Sequence, residues 1–272
     1  MKASRCYSSA ADIARLATSS HTQIVSAPAR IPGISVFLPS HNEEGNVERV
    51  VRSWVAECPR VADNFEVIVV DDGSRDRTGE IAEHLAAEDS HVKVVRHPVN
   101  RGYGGAVISG IRAATQPYVL LCDGDGQFDP ADLERLTPLV PQYDVVCGRR
   151  AHRADPLMRR VNGKAWTILV RVLLGITISD IDCGFKLFKR EKLDGMELRA
   201  HGAMISTELM ARLAGRNAKV TEVDVQHLPR LTGEQSGANL KVVARAFKEL
   251  IALYRELRDE RKGPPRNGSG RS

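Results

Sequence analysis

The chain has 272 residues, 42% of them hydrophobic and only 5% aromatic, with a formal net charge of +5. That length supports one large α/β domain or two small ones. The scarcity of aromatics argues against a stacking platform for single-stranded nucleic acid, and the modest positive charge suits a phosphate-bearing substrate or an anionic membrane surface better than a nucleic acid.

The five cysteines form no Cys-x-x-Cys pair, so neither a zinc site nor a disulfide framework is indicated. The longest apolar candidate, Ala165–Ile178, is interrupted by Arg171 and Gly175 and is too short to span a bilayer.

Residues 1–30 are rich in Ser, Ala and Thr and read as a flexible leader. The domain is expected over 31–262, with 263–272 a polar tail. Ile34–Leu38 reads as the first strand, followed by a polar loop, Pro39–Glu44, and a helix over Asn46–Glu57. Phe65–Val70 is a second strand, apolar but for Glu66, ending in Asp71-Asp72-Gly73-Ser74. Asp76 or Thr78 is placed to cap the next helix, to about Glu88.

Val92–Arg96 is the third strand; Asn100–Gly105 leads into a helix ending at Ala114; Tyr118–Cys122 is the fourth strand. This β-α alternation predicts a mainly parallel, Rossmann-like sheet with helices on both faces and ligands at its carboxyl edge. Beyond it, helix is expected over Asp132–Val140, a fifth strand over Tyr143–Cys147, and a basic, apolar helix over Leu157–Leu174. A turn and short strand follow over Asp180–Phe188, then helices over Asp194–His201 and Thr207–Leu213. Val220–His227 alternates as an edge strand does. A long amphipathic helix from Leu240 to Arg261 places Val243, Phe247, Leu250, Ile251, Tyr254 and Leu257 on one face.

The fourth strand ends in Cys122-Asp123-Gly124-Asp125-Gly126-Gln127. Alternate residues of an extended chain point the same way, so Asp123 and Asp125 can address one spot. Hard oxygen ligands in this arrangement suit Mg²⁺ or Mn²⁺. A polar turn is the plainer reading of Asp-x-Asp alone, but a second strand end, at Asp71-Asp72, brings further carboxylates to the same edge. Arg149, Arg150, Arg160 and Lys164 form a basic cluster for an anionic group or a solvated face. His97 and His227 read as structural, and the cysteines as small hydrophobes.

Seven short motifs occur in order: Pro-Ser-His-Asn-Glu-Glu (39–44), Asp-Asp-Gly-Ser-x-Asp-x-Thr (71–78), Asn-x-Gly-x-Gly (100–104), Asp-x-Asp-x-Gln (123–127), Cys-Gly-Arg (147–149), Asp-x-x-x-Gly-Phe-Lys (180–186) and Arg-x-x-Gly (230–233). Each is weak alone; together they are specific. From Ile34 to Lys262 the chain resembles family 2 glycosyltransferases of the GT-A fold, in particular dolichol-phosphate mannose synthases and polyprenyl-phosphate glycosyltransferases.

The resemblance implies an inverting, metal-dependent transfer of a hexose from a nucleoside-diphosphate sugar to a polyprenyl phosphate. It assigns Pro39, His41, Glu43 and Asp72 to the nucleoside, and Asp123, Asp125 and Gln127 to Mg²⁺ or Mn²⁺. Asp180 lies near the donor sugar, Arg230 at the diphosphate, and Arg149 at the lipid phosphate, with Arg160 and Lys164 assisting. His41 stands where the family usually has Tyr, Tyr103 where it often has Lys, and Gly163 where a serine often assists the acceptor phosphate.

A phosphate acceptor needs positioning more than deprotonation. The alternative, a soluble hydroxyl acceptor, needs a general base, and Glu208 is the candidate. Its bland reading is an acid at a helix N-terminus. A catalytically idle nucleotide-sugar binder is disfavoured by the intact acids. The expected setting is the cytoplasmic face of a membrane, with the protein peripheral to it, anchored through the 157–174 helix, and with a small membrane protein as a candidate cover for the C-terminal helix.

Overall fold

The computed structural model describes residues 30–150, 166, 168–176, 178–200, 202–230 and 240–262, with side chains in the last stretch over 247–259. The expected leader, the polar tail, Arg160, Lys164 and most of the basic helix before residue 166 lie outside the described residues.

Seven strands form one sheet: β1 (Ile34–Ser40), β2 (Phe65–Asp71), β3 (Val92–Arg96), β4 (Tyr118–Cys122), β5 (Val145–Arg150), β6 (Phe185–Lys189) and β7 (Val220–Val225), in the order β3-β2-β1-β4-β6-β5-β7. Among these strands β6 alone is antiparallel to its neighbours, β4 and β5. The edge position expected for the last strand is observed, β7 lying beside β5 in parallel.

The helices are α1 (Val47–Val61), α2 (Thr78–Glu88), α3 (Tyr103–Ala113), α4 (Leu133–Leu136, flanked by 3₁₀ turns), α5 (helical over 168–174), α6 (Met204–Gly215) and α7 (Leu240–Lys262). They cover both faces. On one, α1 buries Val47, Val50, Val51, Trp54, Cys58 and Val61, a helical stripe, with Leu85 of α2 and Leu133 and Leu136 of α4. On the other lie α3, α5, α6 and α7, with Val107, Val170, Leu209 and Leu253 in the core. Alternation in β1 serves both layers, Val36 and Leu38 facing one and Phe37 the other.

Pairing of β1 with β4 stops at Phe37↔Leu121, whereas its pairing with β2 continues to Ser40↔Asp71. Pro39 has no N–H to extend the β4 ladder. The sheet therefore parts between β1 and β4, and this is also where strand order reverses, the position at which open α/β sheets bind ligands.

Three expectations are corrected. Residues 196–200 are irregular rather than helical; their backbone is instead strapped to α6 by Glu208, which accepts from the N–H groups of Arg199 and Ala200. The fifth strand runs on through Arg150, because β7 pairs with it as far as Arg150↔Val225. On α7 the apolar stripe is split: Leu250, Leu253 and Leu257 are buried, while Phe247, Ile251 and Tyr254 are exposed.

Candidate active site

β4 delivers its acids to the parted edge. The Asp123 N–H donates to the Gly184 carbonyl at 3.0 Å, and its carboxylate lies so close to the Gly184 Cα that no side chain fits there. Gly124 approaches β1 closely, its N–H 3.3 Å from the Pro39 carbonyl; a Cβ there would stand 2.8 Å from that oxygen. The close approach that the glycine permits is thus that of the β1 end.

The Tyr103 hydroxyl, from the first residue of α3, donates to Asp123 Oδ1 at 2.8 Å. Burial, and then the neighbouring Asp125 charge, push Asp123 up to about 6, against the opposing effects of Tyr103, Lys186 and Arg150. Asp125 takes the Gln127 N–H on Oδ1 at 3.1 Å, and its Oδ2 lies 3.7 Å from Arg230 Nη1. Arg230 also grips Glu43, whose second oxygen accepts from the Asn46 side chain at 2.7 Å. Burial raises Glu43 from its ordinary value even with Asn46 and Arg230 opposing it.

These groups surround a cavity of about 470 Å³. Of the residues picked out in the sequence, Pro39, His41, Glu43, Asp72, Asp123, Asp125 and Arg230 line it together. A second recess, of about 880 Å³, adjoins it through the shared His41 and Asn100, with Arg75, Arg96 and His97 in its wall. Tyr103, Ser40, Gly102 and Ala106 complete the first cavity. Tyr103 was legible only as a departure from a familiar motif, and nothing in the pattern marked it as a partner of Asp123.

Other expected site residues lie apart. The Gln127 side chain donates to the Leu228 carbonyl at 3.1 Å and does not line the cavity. Both Asp180 oxygens are engaged by Arg150, at 2.8 Å each, with the Arg150 N–H adding a third contact at 3.2 Å. Arg149 points the other way, as strand parity requires; it is exposed and pairs with Asp224 at 2.6 Å. The basic group turned inward at this strand end is therefore Arg150 and not Arg149.

Glu208 is buried on α6. It accepts from the Arg199 and Ala200 N–H groups at 2.9 and 2.7 Å and from Arg212 at 2.9 Å. It lines a different recess, between α6 and α7, and is committed to holding that corner together.

The residues fit a divalent cation. Two carboxylates one residue apart share the cavity, and burial, with the Asp125 charge second, raises Asp123 beyond what Tyr103, Lys186 and Arg150 cancel. Among the described residues no group of three His, Cys, Asp or Glu side chains is close enough to hold a metal alone. Mg²⁺ and Mn²⁺ commonly bind through one or two carboxylates, completing their shell with substrate phosphates and water.

The fold and the two-acid crevice suit a glycosyltransferase, and residues 35–196 match the model of glycosyl transferase family 2. The chain belongs to that family. It is 31% identical over 226 residues to undecaprenyl-phosphate 4-deoxy-4-formamido-L-arabinose transferase of Pectobacterium atrosepticum, covering 82% of this chain and 68% of that one. It is likewise 31% identical to the enzyme of the same name from Pseudomonas savastanoi pv. phaseolicola, covering 83% and 67%. Glucosyl-3-phosphoglycerate synthase of Mycobacterium tuberculosis, solved with Mn²⁺, UDP and phosphoglyceric acid, shares the fold with a TM-score of 0.63 at 23% identity, over 88% of this chain and 82% of that one.

Proposed function

We propose that this glycosyltransferase moves a sugar from a nucleoside-diphosphate donor to a polyprenyl phosphate, with inversion and with the help of Mg²⁺ or Mn²⁺. The observation that carries the reading is the crevice at the β1/β4 switch point, where Asp72, Asp123, Asp125 and Arg230 converge. The names of the relatives, undecaprenyl-phosphate sugar transferases, favour the lipid acceptor.

Asp72 is placed to accept from a base N–H, and His41 to pack on the nucleoside. Asp123 and Asp125 would hold the cation, which when bound neutralises charge developing on the leaving diphosphate. Arg230, now bound to Glu43, is positioned to turn to the diphosphate and make charge-assisted bonds. A phosphate acceptor is already anionic, so its alignment supplies the rate. The commitment of Glu208 to Arg212 and two backbone N–H groups supports a reaction with no base at that position.

The acceptor reading carries a membrane surface with it. No described helix is long and apolar enough to cross a membrane. However, Ile168 and Val172 of α5 are 60% and 77% exposed, and Phe247, Ile251 and Tyr254 form an exposed stripe on α7. Trp166 meets Phe247 edge-to-face at 5.5 Å, so the two helices adjoin. We assign this patch to peripheral contact with lipid headgroups, on the cytoplasmic side, or with a small membrane protein.

The deciding experiment supplies radiolabelled UDP- and GDP-sugars with undecaprenyl phosphate and partitions the product between butanol and water. Label in butanol, dependent on metal, is expected. Label transferred only to water-soluble hydroxyl acceptors would overturn the lipid reading, as would a Glu208→Gln loss of roughly 10²–10⁴-fold at unchanged melting temperature, the mark of a lost general base.

A further inference from the structure

His97 and Ser109 belong to none of the motifs that carry the transfer reaction, yet both lie directly behind Asp72. β3 ends at Arg96, and the next residue turns inward, the His97 N–H donating to the Asp71 carbonyl at 2.9 Å. The residue is 5% exposed. Its Nδ1 lies 2.6 Å from Asp72 Oδ1, and its Nε2 lies 2.8 Å from the Ser109 hydroxyl on α3. The Arg101 N–H donates to the same Oδ1 at 2.8 Å.

The two carboxylate oxygens are therefore unequal. Oδ1 is filled by two donors. Oδ2 has no protein hydrogen bond among the described residues, and Asp72 lines the cavity. A carboxylate held this way has one fixed orientation and one open acceptor.

The connectivity Ser109–His97–Asp72 is also that of a hydrolytic triad. Ser109, however, sits within α3 and lines neither cavity at this edge. Neighbouring helical N–H groups are spent on the helix itself and offer no oxyanion donors. The relay points inward, to Asp72, and not outward to a substrate.

We propose that His97, oriented by Ser109, is a positioning residue that locks Asp72 with Oδ2 turned to an N–H donor of the nucleobase. The proposal rests on reading the cavity as the nucleotide site. It makes the donor's base selectivity depend on a histidine that acts through Asp72.

The test titrates UDP and GDP, each with Mn²⁺, into wild type, His97→Phe, His97→Asn, Ser109→Ala, Asp72→Ala and the pairwise combinations with Asp72→Ala, and measures donor KM and kcat alongside. For the nucleotide that wild type binds, His97→Phe should weaken binding roughly 10- to 100-fold, the worth of a hydrogen bond to a charged group. Donor KM should rise in parallel while kcat changes little. His97→Asn, whose amide N–H can stand where Nδ1 does, should recover most of the loss. Ser109→Ala should cost about threefold. In the Asp72→Ala background neither change should add anything, since both act through the missing carboxylate.

Additive losses, or an asparagine no better than phenylalanine, would overturn the positioning role. So would a lowered melting temperature with unchanged nucleotide binding. If His97→Phe does not fold, Ser109→Ala with and without Asp72→Ala decides the matter on the same additivity criterion. Wild type binding neither nucleotide would sink the nucleotide reading and this proposal together; wild type binding with His97 and Ser109 variants unaffected would sink the proposal alone.

Discussion

The two ends of the same sheet treat a carboxylate in opposite ways. At the amino edge, Glu66 of β2 is 3% exposed and its carboxylate is surrounded by donors. The Ser35 hydroxyl stands at 2.5 Å, the Thr115 N–H at 2.7 Å, the Thr115 hydroxyl at 2.9 Å and the Lys93 ammonium at 2.5 Å. Burial pushes Glu66 upward, but Lys93, Ser35 and Thr115 more than cancel it and hold the group below its ordinary value. At the carboxyl edge, among the described residues, Asp123 has Tyr103 as its one hydrogen-bonding side chain and Asp125 as a repelling neighbour, and stands near 6. The amino edge spends its donors on stability. The carboxyl edge leaves charge that an added cation or an anion-binding arginine must answer, as functional sites do.

The contrast breaks most visibly at Asp125. Asp125→Ala should lower turnover about a thousandfold, comparable with losing a principal electrostatic stabiliser. Its melting temperature should hold or rise, because a like charge beside Asp123 is removed. Activity surviving in excess chelator would undo the assignment.

Next comes Arg150→Ala, which strips the counter-ion from a buried pair with Asp180 whose side chains are 15% and 5% exposed. A loss of about 3–5 kcal/mol in urea unfolding is expected. A variant of unchanged stability would show that the pair is not the anchor of this strand end.

Glu66→Gln should cost about 2 kcal/mol and leave kcat/KM alone, the mirror image of Asp125→Ala. Because the folded Glu66 is depressed, its contribution is fully present above the ordinary glutamate value of 4.5 and is lost as pH falls through the lower folded value. Wild type and Glu66→Gln should therefore converge in stability below pH 4.5 and diverge above it; divergence that grew with acidification would have the wrong sign. Last, Arg149→Ala removes a half-exposed pair with Asp224 and should shift stability by at most about 1 kcal/mol. A large rise in acceptor KM from this change would restore Arg149 to the site from which the structure separates it.

Much of the carboxyl edge was legible from residues alone. The apolar runs before Asp72 and Asp123 could only be buried parallel strands, and parallel strands bring their ends to one side. Seven of the expected site residues therefore meet in one cavity. Arg149 lies apart from them for a reason of parity. The strand was expected to stop at Cys147, but β7 prolongs it to Arg150, and each added residue reverses the face presented. Glu208 also lies apart, because the partners that engage it, Arg212 and the 199–200 backbone, are set by how α6 packs, which no local pattern encodes. His97 was read as structural since its two partners lie 25 and 12 residues away in sequence, with no spacing to announce them.

The reversed direction of β6 has a consequence for chain length. β5 leaves the sheet at Arg150 and β6 re-enters it at Phe185, with Cys147 opposite Lys186. The chain thus leaves the sheet and returns to it on the same rim, next to the acids of β4, where Gly184 meets Asp123. The described part of this detour packs Val170, Leu174, Ile176 and Ile178 into the core and pairs Asp180 with Arg150, but adds no strand to the sheet. The closure entropy of a loop grows so slowly that doubling its length costs only about 0.6 kcal/mol. A change of length outside that packed part therefore leaves the strand pairings from β1 to β4 as they are.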